Sequence, residues 1–191
     1  MIRLRWLGAI LWFAVAAAVA QPVTVEGIRF EPTTTVGGQS LLLNGAGLRT
    51  RLFVKVYAAG LYVPVKSNDP AALLAQTGPR RVVMGMLRDI DGTTFANALL
   101  DGLKSNNPEE QLAAINGQVE QLQAILKSVG EAKKGDSIQL DWVPDSGTHI
   151  IVNGQPRGDP ITGAAFFNAL LRVWLGEKPA DSSLKKAMLG G

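Results

Sequence analysis

The sequence of 191 residues contains no cysteine and a single histidine, His149. The absence of cysteine excludes disulfide bonds, cysteine-based zinc sites, iron–sulfur clusters, thiol catalysis and a lipoprotein anchor. A lone imidazole excludes mechanisms that need two or more, as most zinc hydrolases do. No serine lies in a G-x-S-x-G motif. The sequence therefore indicates no metal site and no cofactor.

Charge is also scarce, because only 18% of the residues are charged and lysine and arginine form no run longer than a pair. The formal net charge is +3. Removal of residues 1–20 would take away Arg3 and Arg5 and no acidic residue, which leaves +1. A near-neutral surface without basic runs lacks the electrostatic footprint of a nucleic-acid-binding protein, so no nucleic-acid partner is expected.

The N-terminus has the pattern of a secretory signal peptide. Met1–Arg5 carries two arginines, Trp6–Ala20 is apolar, and Ala18-Val19-Ala20 supplies small residues before Gln21. The alternative is an uncleaved anchor, but this apolar stretch is shorter than the roughly 20 residues that a span needs. We expect cleavage near Ala20-Gln21, a periplasmic or secreted protein and no stable membrane span afterwards.

The remaining residues, 21–191, have the composition and length of one folded domain, with 47% apolar residues in the whole chain. A short strand is predicted over Gln39–Leu43, and Asn44-Gly45 and Gly45-Ala46-Gly47 are interpreted as turns. Arg51–Val63 alternates and predicts one long strand. Its even positions predict the core face, and its odd positions predict solvent or a partly covered cleft.

Capping side chains and prolines predict helices in the rest of the domain. Helices are expected to begin at Asp69-Pro70, Asp91, Asn107-Pro108, Thr162 and Asp181. The helix from Asn107 carries an apolar stripe over residues 112–129 and ends at Gly130. Two apolar runs, Ile138–Val143 and Thr148–Val152, flank a turn and predict a hairpin. The fold class is α+β, a mainly antiparallel sheet with helices on one face.

Catalytic motifs are mostly absent. Asp89-Ile90-Asp91 does not continue as an EF-hand loop, because Thr94 and Leu100 stand where glycine and glutamate are required. His149 lies on a hairpin strand without an obvious serine or aspartate partner. The acids Asp136, Asp141 and Asp145 lie at turns and strand ends, where aspartate is common for backbone reasons.

The segment Leu43–Val63 carries the most specific signal. It contains Gly45-Ala46-Gly47-Leu48-Arg49, followed by Phe53-Val54-Lys55 and then Ala58, Gly60 and Tyr62. This resembles the chalcone isomerase-like superfamily, in which a G-x-G-x-R turn leads into a strand F-V-K-x-x-A-x-G-x-Y. Further resemblance covers residues 81–103, 135–152 and 160–190. It implies a chalcone isomerase-like open-faced sandwich over 21–191, in a form similar to the signal-peptide-bearing bacterial members.

The resemblance also implies a role for Arg49. In plant isomerases the matching arginine stabilises a developing phenolate, and in fatty-acid-binding relatives it meets a carboxylate. Tyr57 aligns with a threonine of the plant site and resembles the tyrosine that partners the arginine in the fatty-acid-binding relatives. Phe95 falls where the plant enzymes have a tyrosine, Gly102 near an asparagine and Phe167 near a late-helix hydroxyl. Polar contacts of the isomerase site are thus replaced.

Three functions remain open at this stage. The first is a non-catalytic periplasmic binding protein for a fatty acid or similar amphipathic anion, with ligand-binding residues Arg49, Tyr57, Phe53, Phe95, Leu99, Phe166 and Phe167. The second is an intramolecular lyase of the chalcone–flavanone isomerase type, and the third is a structural protein with a filled cleft. The competing interpretation of Arg49 is a turn arginine paired with Glu26 or Glu31. By strand parity, Arg49 and Tyr57 are expected on one side of the sheet together with Phe53 and Lys55.

Overall fold

The computed structural model describes residues 21–191, and the predicted signal peptide over residues 1–20 lies outside this part. The strands, in chain order, are β1 (Val23–Val25), β2 (Ile28–Phe30), β3 (Thr33–Val36), β4 (Gln39–Arg51), β5 (Val54–Val63), β6 (Arg80–Met86), β7 (Ile90–Asp91), β8 (Glu131–Ala132), β9 (Ser137–Val143), β10 (Gly147–Val152) and β11 (Gln155–Pro156). The helices are α1 (Pro70–Ala75), α2 (Gly92–Asn106), α3 (Glu109–Ala114), α4 (Asn116–Val129), α5 (Ala164–Leu175) and α6 (Ser182–Met188).

Seven strands form one sheet in the order β11-β10-β9-β6-β5-β4-β3, and every neighbouring pair is antiparallel. The pairs β1–β2 and β7–β8 form two separate two-stranded sheets. The helices cover one face of the large sheet, where side chains of β5, β6 and β9 form the main hydrophobic core with α2, α4, α5 and α6. The predicted α+β fold with helices on one face is confirmed.

Strand β5 is buried on both faces, which corrects the prediction that its even positions alone face the core. The odd residues Tyr57, Ala59 and Leu61 belong to the main core under the helices. The even residues Ala58 and Tyr62 belong to a smaller cluster with Phe30 on the opposite face. A central strand covered on both faces does not show the alternation of a half-exposed strand.

The predicted turn at Gly45-Ala46-Gly47 is wrong, because β4 runs without a turn from Gln39 to Arg51. The glycines serve close packing instead. A Cβ atom on Gly45 would collide with the carbonyl oxygen of Ala187 in α6. The preceding Asn44 is buried, and its Nδ2 donates to the carbonyl oxygens of Ser67 (2.9 Å) and Met188 (2.7 Å). The glycines thus allow α6 to approach β4 closely, and the Asn44 hydrogen bond holds the end of α6 there.

The predicted single strand Arg51–Val63 is also wrong at its start. Arg51 pairs with Val54 across a two-residue turn, so residues 51–54 form the tip of the β4–β5 hairpin. Farther along, Arg49 pairs with Tyr57 while Thr50 pairs with Lys55, so Val56 is an extra residue on β5. Such a bulge changes the face on which the following side chains lie.

The bulge separates residues that strand parity places together. Lys55 lies on the face away from the helices, where its Nζ is 2.7 Å from Oε2 of Glu26. Tyr57 is buried in the main core on the helix side. The prediction that Tyr57 shares its face with Phe53 and Lys55 is therefore wrong, whereas its placement on one side with Arg49 is confirmed by their cross-strand pairing.

The helix boundaries partly follow the capping signals. Asp69, Asp91 and Asp181 cap their helices as predicted, and Gly130 ends α4. The single helix predicted from Asn107 is broken at Ile115 into α3 and α4. Asn107 ends α2 instead, and its Nδ2 donates to the carbonyl oxygens of Leu103 and Ala169. Gly163, rather than Thr162, precedes α5, with no side-chain cap.

Within residues 21–191, none of the helices is long and apolar enough to cross a membrane.

Gly45→Ala tests the close packing of α6 on β4. We expect a loss of about 1–3 kcal/mol in the free energy of unfolding, because the added methyl group meets backbone that cannot change rotamer. Denaturant unfolding measures it. Gly117→Ala is the matched control, since a Cβ atom there meets nothing within 4 Å. An equal effect at both positions would contradict the packing account.

A candidate binding cleft headed by Arg49

A cleft of about 380 Å³ opens at one end of the sheet, between the tip of the β4–β5 hairpin and the start of α2. Sites for small molecules usually measure about 300–1,000 Å³, so the space suits a ligand of modest size. Its apolar lining consists of Leu52, Val54, Val56, Ile90, Phe95 and Ala98. Its polar lining consists of Arg49, Arg51, Arg88, Asp89, Asp91 and Thr94.

Arg49 lies near the C-terminal end of β4, shortly before the hairpin turn, and lines the cleft. Its guanidinium carbon lies 5.3 Å from the centroid of the Tyr57 ring on the neighbouring strand, a cation–π distance. Its Nε is buried, and residues 21–191 offer it no hydrogen-bond partner. In the described residues, no carboxylate lies within ion-pairing distance of Arg49. A cation in an apolar cleft without an acidic partner is suited to an anionic ligand.

The competing interpretation of Arg49, a turn residue paired with Glu26 or Glu31, is wrong. Arg49 lies within β4. Glu26 is paired with Lys55 at 2.7 Å, and Glu31 is paired with Arg29 at 2.6 Å. Both acids belong to the β1–β2 hairpin and its exit, which cover the sheet face away from the helices.

Tyr57 lies beneath Arg49 and is only 1% exposed. Its hydroxyl accepts a hydrogen bond of 3.0 Å from the indole Nε1 of Trp174 in α5. Burial raises the pKa of Tyr57 above its usual value, against the opposing effects of the Arg49 charge and the Trp174 hydrogen bond. Tyr57 is not among the residues that line the cleft. It therefore supports Arg49 from below.

Trp174 is a site residue that sequence reasoning missed, since the helical stripe marks it only as core. The sequence did offer one signal for it: the indole N–H of a buried tryptophan usually needs an acceptor, which predicts a polar partner inside the core.

Asp181 fastens the end of β4 beside Arg49. Its Oδ2 accepts from the backbone N–H of Thr50 at 2.9 Å, and its Oδ1 accepts from Ser183 and Leu184 at the start of α6. Its negative charge adds to the raised pKa of Tyr57. Because this carboxylate is held by three backbone donors, the strand end and the helix start are fixed to each other next to the arginine.

The acids at the cleft are likewise engaged with backbone groups. Asp89 Oδ1 accepts from the N–H of Lys134 at 2.7 Å, and Asp91 Oδ1 accepts from the N–H of Thr94 at 3.0 Å as the cap of α2. Arg51 and Arg88 are exposed at the mouth. Neither forms an ion pair with another part of the chain from residue 21 onward.

The structure brings together only some of the residues expected to form the apolar wall. Phe95 lines the cleft. Leu99, one turn later on α2, is buried behind it. Phe53 is fully exposed at the hairpin tip, with a relative exposure of 101%. Phe166 and Phe167 lie in the core, where Phe167 stacks on Trp142 with ring centroids 6.0 Å apart. Sequence reasoning missed Val56 and Ile90, because the bulge and the β6–α2 connection bring them to the cleft.

The positions that match polar residues of the plant isomerase site contribute no polar group to this cleft. Phe95 presents a hydrocarbon ring. Gly102 packs α2 against α5, since a Cβ atom there would lie 2.8 Å from Val173 Cγ1. Phe167 lies in the core under the guanidinium of Arg80, whose carbon is 5.0 Å from the ring centroid.

His149 has a partner that the sequence did not reveal. Its Nε2 lies 2.8 Å from Oγ of Ser146, in the β9–β10 turn. The facing Asp141 is bound by Arg81, with Nε–Oδ1 at 2.6 Å. This pair lies outside the cleft and lacks the orienting acid of a catalytic triad.

The sequence profile of the chalcone isomerase-like family matches residues 22–190. The chain belongs to the chalcone isomerase-like family. Its fold also matches the crystal structure of the fatty-acid binding protein of Arabidopsis thaliana, with a TM-score of 0.64 and 15% identity over 88% of this chain and 96% of that chain. At this identity the likeness shows the shared fold. Among curated proteins, none matches the chain.

The ionisation of the two tyrosines, Tyr57 and Tyr62, tests how far each hydroxyl is buried. Tyr62 also has a raised pKa, about 12, because it is partly buried. Ultraviolet absorbance should therefore show little tyrosinate in the native protein at about pH 11, whereas the unfolded chain should titrate near pH 10. Because the native state holds these protons more tightly, the free energy of unfolding should fall as the pH rises from about 10 to about 12. In Tyr62→Phe the remaining signal belongs to Tyr57, and its ionisation near pH 10 would contradict the buried placement.

Proposed function

We propose that this protein is a non-catalytic binding protein for a fatty acid or a similar amphipathic anion. The anionic head lies at Arg49 and the chain lies along the apolar lining of the cleft. We further propose that it acts in the periplasm or outside the cell after cleavage near Ala20-Gln21. The observation that carries the proposal is a cleft-facing arginine that has a buried, unpartnered Nε and no carboxylate partner in residues 21–191.

Two arginines, Arg80 and Arg49, each have a buried Nε that finds no hydrogen-bond partner within residues 21–191. Arg80 is buried in the core, and burial lowers its pKa to about 10. Its Nη1 donates to Oδ1 of Asn168 at 2.9 Å, so the fold supplies it with an acceptor. Arg49 is half-buried and, unlike Arg80, lines a cleft that a ligand can enter. A cation with a buried, unsatisfied donor is costly, and a ligand carboxylate in the cleft would offset that cost with charge-assisted hydrogen bonds.

The apolar lining selects for a hydrocarbon chain on the ligand. Val54, Val56, Ile90, Phe95 and Ala98 present aliphatic and aromatic surface beside Arg49. Each buried methylene contributes about 0.8 kcal/mol, so affinity should rise roughly fourfold per methylene until the space is filled. The fatty-acid binding of the structurally similar Arabidopsis protein supports this ligand class.

Tyr57 and Trp174 act as positioning residues in this proposal. The Tyr57 ring holds the guanidinium, and Trp174 holds the Tyr57 hydroxyl. The lyase alternative needs polar groups that favour the transition state over the substrate. Phe95, Gly102 and Phe167 provide none. The filled-cleft alternative is disfavoured by the open space of about 380 Å³ beside Arg49.

Arg49→Ala should weaken binding of a long-chain fatty acid by about tenfold to a hundredfold, because it removes a charge-assisted contact of about 1.5–3 kcal/mol. Calorimetric titration of the delipidated protein measures this. The alcohol of equal chain length should bind both proteins nearly equally. Arg29→Ala is the matched control, since it removes an equal charge on the opposite sheet face. If Arg49→Ala lowered only the melting temperature, the head-group assignment would fail.

Tyr57→Phe tests the positioning role. It keeps the ring under Arg49 and removes the acceptor for Trp174, so we expect a weaker effect than Arg49→Ala, about threefold to tenfold on the fatty acid. The neutral alcohol should again be nearly unaffected. Extraction of the purified protein followed by mass spectrometry provides an independent check. Reproducible absence of any lipid, together with no titration signal for fatty acids, would overturn the proposed function.

A further inference from the structure

The tip of the β4–β5 hairpin presents the most exposed large apolar side chains of the described residues. Leu52 is 84% exposed and Phe53 is 101% exposed, and the adjacent Val54 is 41% exposed. Hydrophobic side chains in such a cluster are costly in water unless they serve an interaction. The tip is the end of two long paired strands, and its Leu52 and Val54 face the start of α2 across the cleft.

The turn itself does not require these residues. Leu52 and Phe53 have φ values of 47° and 65°, and Arg51 pairs directly with Val54. A two-residue hairpin turn with positive φ at both positions favours Asn-Gly or similar pairs, because bulky side chains are strained there. The chain therefore carries two bulky apolar residues where turn geometry prefers small polar ones, a break with local preference that is typical of functional positions.

Basic groups accompany this apolar tip. Arg51 directly precedes Leu52, and Arg88 lies across the mouth of the cleft; both are exposed. Neither has an ion-pair partner in residues 21–191. The nearby acids Asp89 and Asp91 accept from backbone N–H groups but keep their negative charges, so the three arginines of the cleft exceed its two acids by one positive charge. Lys55 is paired with Glu26. Apolar side chains flanked by unpaired arginines are complementary to an anionic lipid surface.

The size of the tip distinguishes a membrane from a protein partner. A stable protein–protein interface buries about 1,200–2,000 Å² in total. A protrusion of two or three residues is too small for that, but it suits insertion between lipid headgroups. The tip is also continuous with the cleft, because Arg51, Leu52 and Val54 belong to both.

We propose that Leu52 and Phe53 insert into the surface of an anionic lipid membrane, with Arg51 and Arg88 at the headgroups. In this orientation the mouth of the cleft opens onto the bilayer, and an amphipathic ligand passes between membrane and cleft without crossing water. The membrane binding stands on the tip alone, whereas the ligand transfer rests on the proposed function.

The test is cosedimentation of the exported, processed protein with vesicles of phosphatidylcholine and phosphatidylglycerol. We expect binding to these vesicles, weakening at high salt, and much weaker binding to phosphatidylcholine alone. Phe53→Gly should weaken binding about tenfold, and Leu52→Asn combined with Phe53→Gly about a hundredfold. Both variants should melt at a higher temperature than the parent chain, because they relieve strain in the turn.

Val65→Ser is the matched control, since Val65 is another exposed apolar residue, at 67%, away from the tip. It should leave vesicle binding unchanged. Arg51→Glu combined with Arg88→Glu should abolish the preference for anionic vesicles. Absence of vesicle binding by the parent chain would overturn the proposal, as would equal binding by the tip variants. Sedimentation velocity tests a third outcome. If the parent chain self-associated, the tip variants did not, and neither bound vesicles, the tip would be a contact between copies of the chain and the membrane proposal would be overturned.

Ligand transfer separates this proposal from the proposed function. Phe53 does not line the cleft. Phe53→Gly should therefore keep fatty-acid affinity in solution within about twofold and slow transfer of fatty acid from vesicles about tenfold. If the protein bound vesicles through the tip but bound no fatty acid in solution, the docking proposal would stand and the proposed function would fail. If transfer were unchanged in Phe53→Gly, direct passage through the tip would be overturned.

Discussion

The guanidinium of Arg49 carries a charge that no carboxylate within residues 21–191 pairs with, and the surrounding side chains hold it in place without one. The Tyr57 ring lies beneath it, Trp174 fixes the Tyr57 hydroxyl, and Asp181 ties the end of β4 to α6. In the proposed function, this fixed cation is the group that binds the anionic head of the ligand. Its position depends on support from the rest of the core.

That support comes from close packing at a few small residues. Gly45 admits α6 against β4, and Gly102 admits α5 against α2. These contacts place Asp181 and Trp174 where they meet β4 and β5. Close packing of α6 on β4 and of α5 on α2 therefore surrounds Tyr57, on which the guanidinium of Arg49 lies.

Much of the architecture could be predicted from local signals. Asp69, Asp91 and Asp181 act as helix caps because an aspartate before an apolar segment satisfies free N–H groups wherever it occurs. The hairpin at residues 137–152 follows from short apolar runs around a turn. The failures have a common cause. Gly45-Ala46-Gly47 has the composition of a turn, but its small residues are needed for close packing against α6, which is distant in sequence. Strand parity failed at Tyr57 because the extra residue Val56 leaves no mark in the pattern.

The sequence by itself determined the fold class and the exclusion of thiol and multi-histidine chemistry, and it led to the prediction that Arg49 is a site residue, because these depend on composition, local capping and a motif within a short segment. Only the tertiary structure decided that Arg49 has no acidic partner within residues 21–191, that Tyr57 supports it rather than lining the cleft, and that Phe53 is fully exposed beside the cleft mouth. Those facts depend on a bulge, on helix packing and on which acids are already paired with other cations or bound by backbone N–H groups. Each is set by contacts between residues far apart in the chain, which no local pattern encodes.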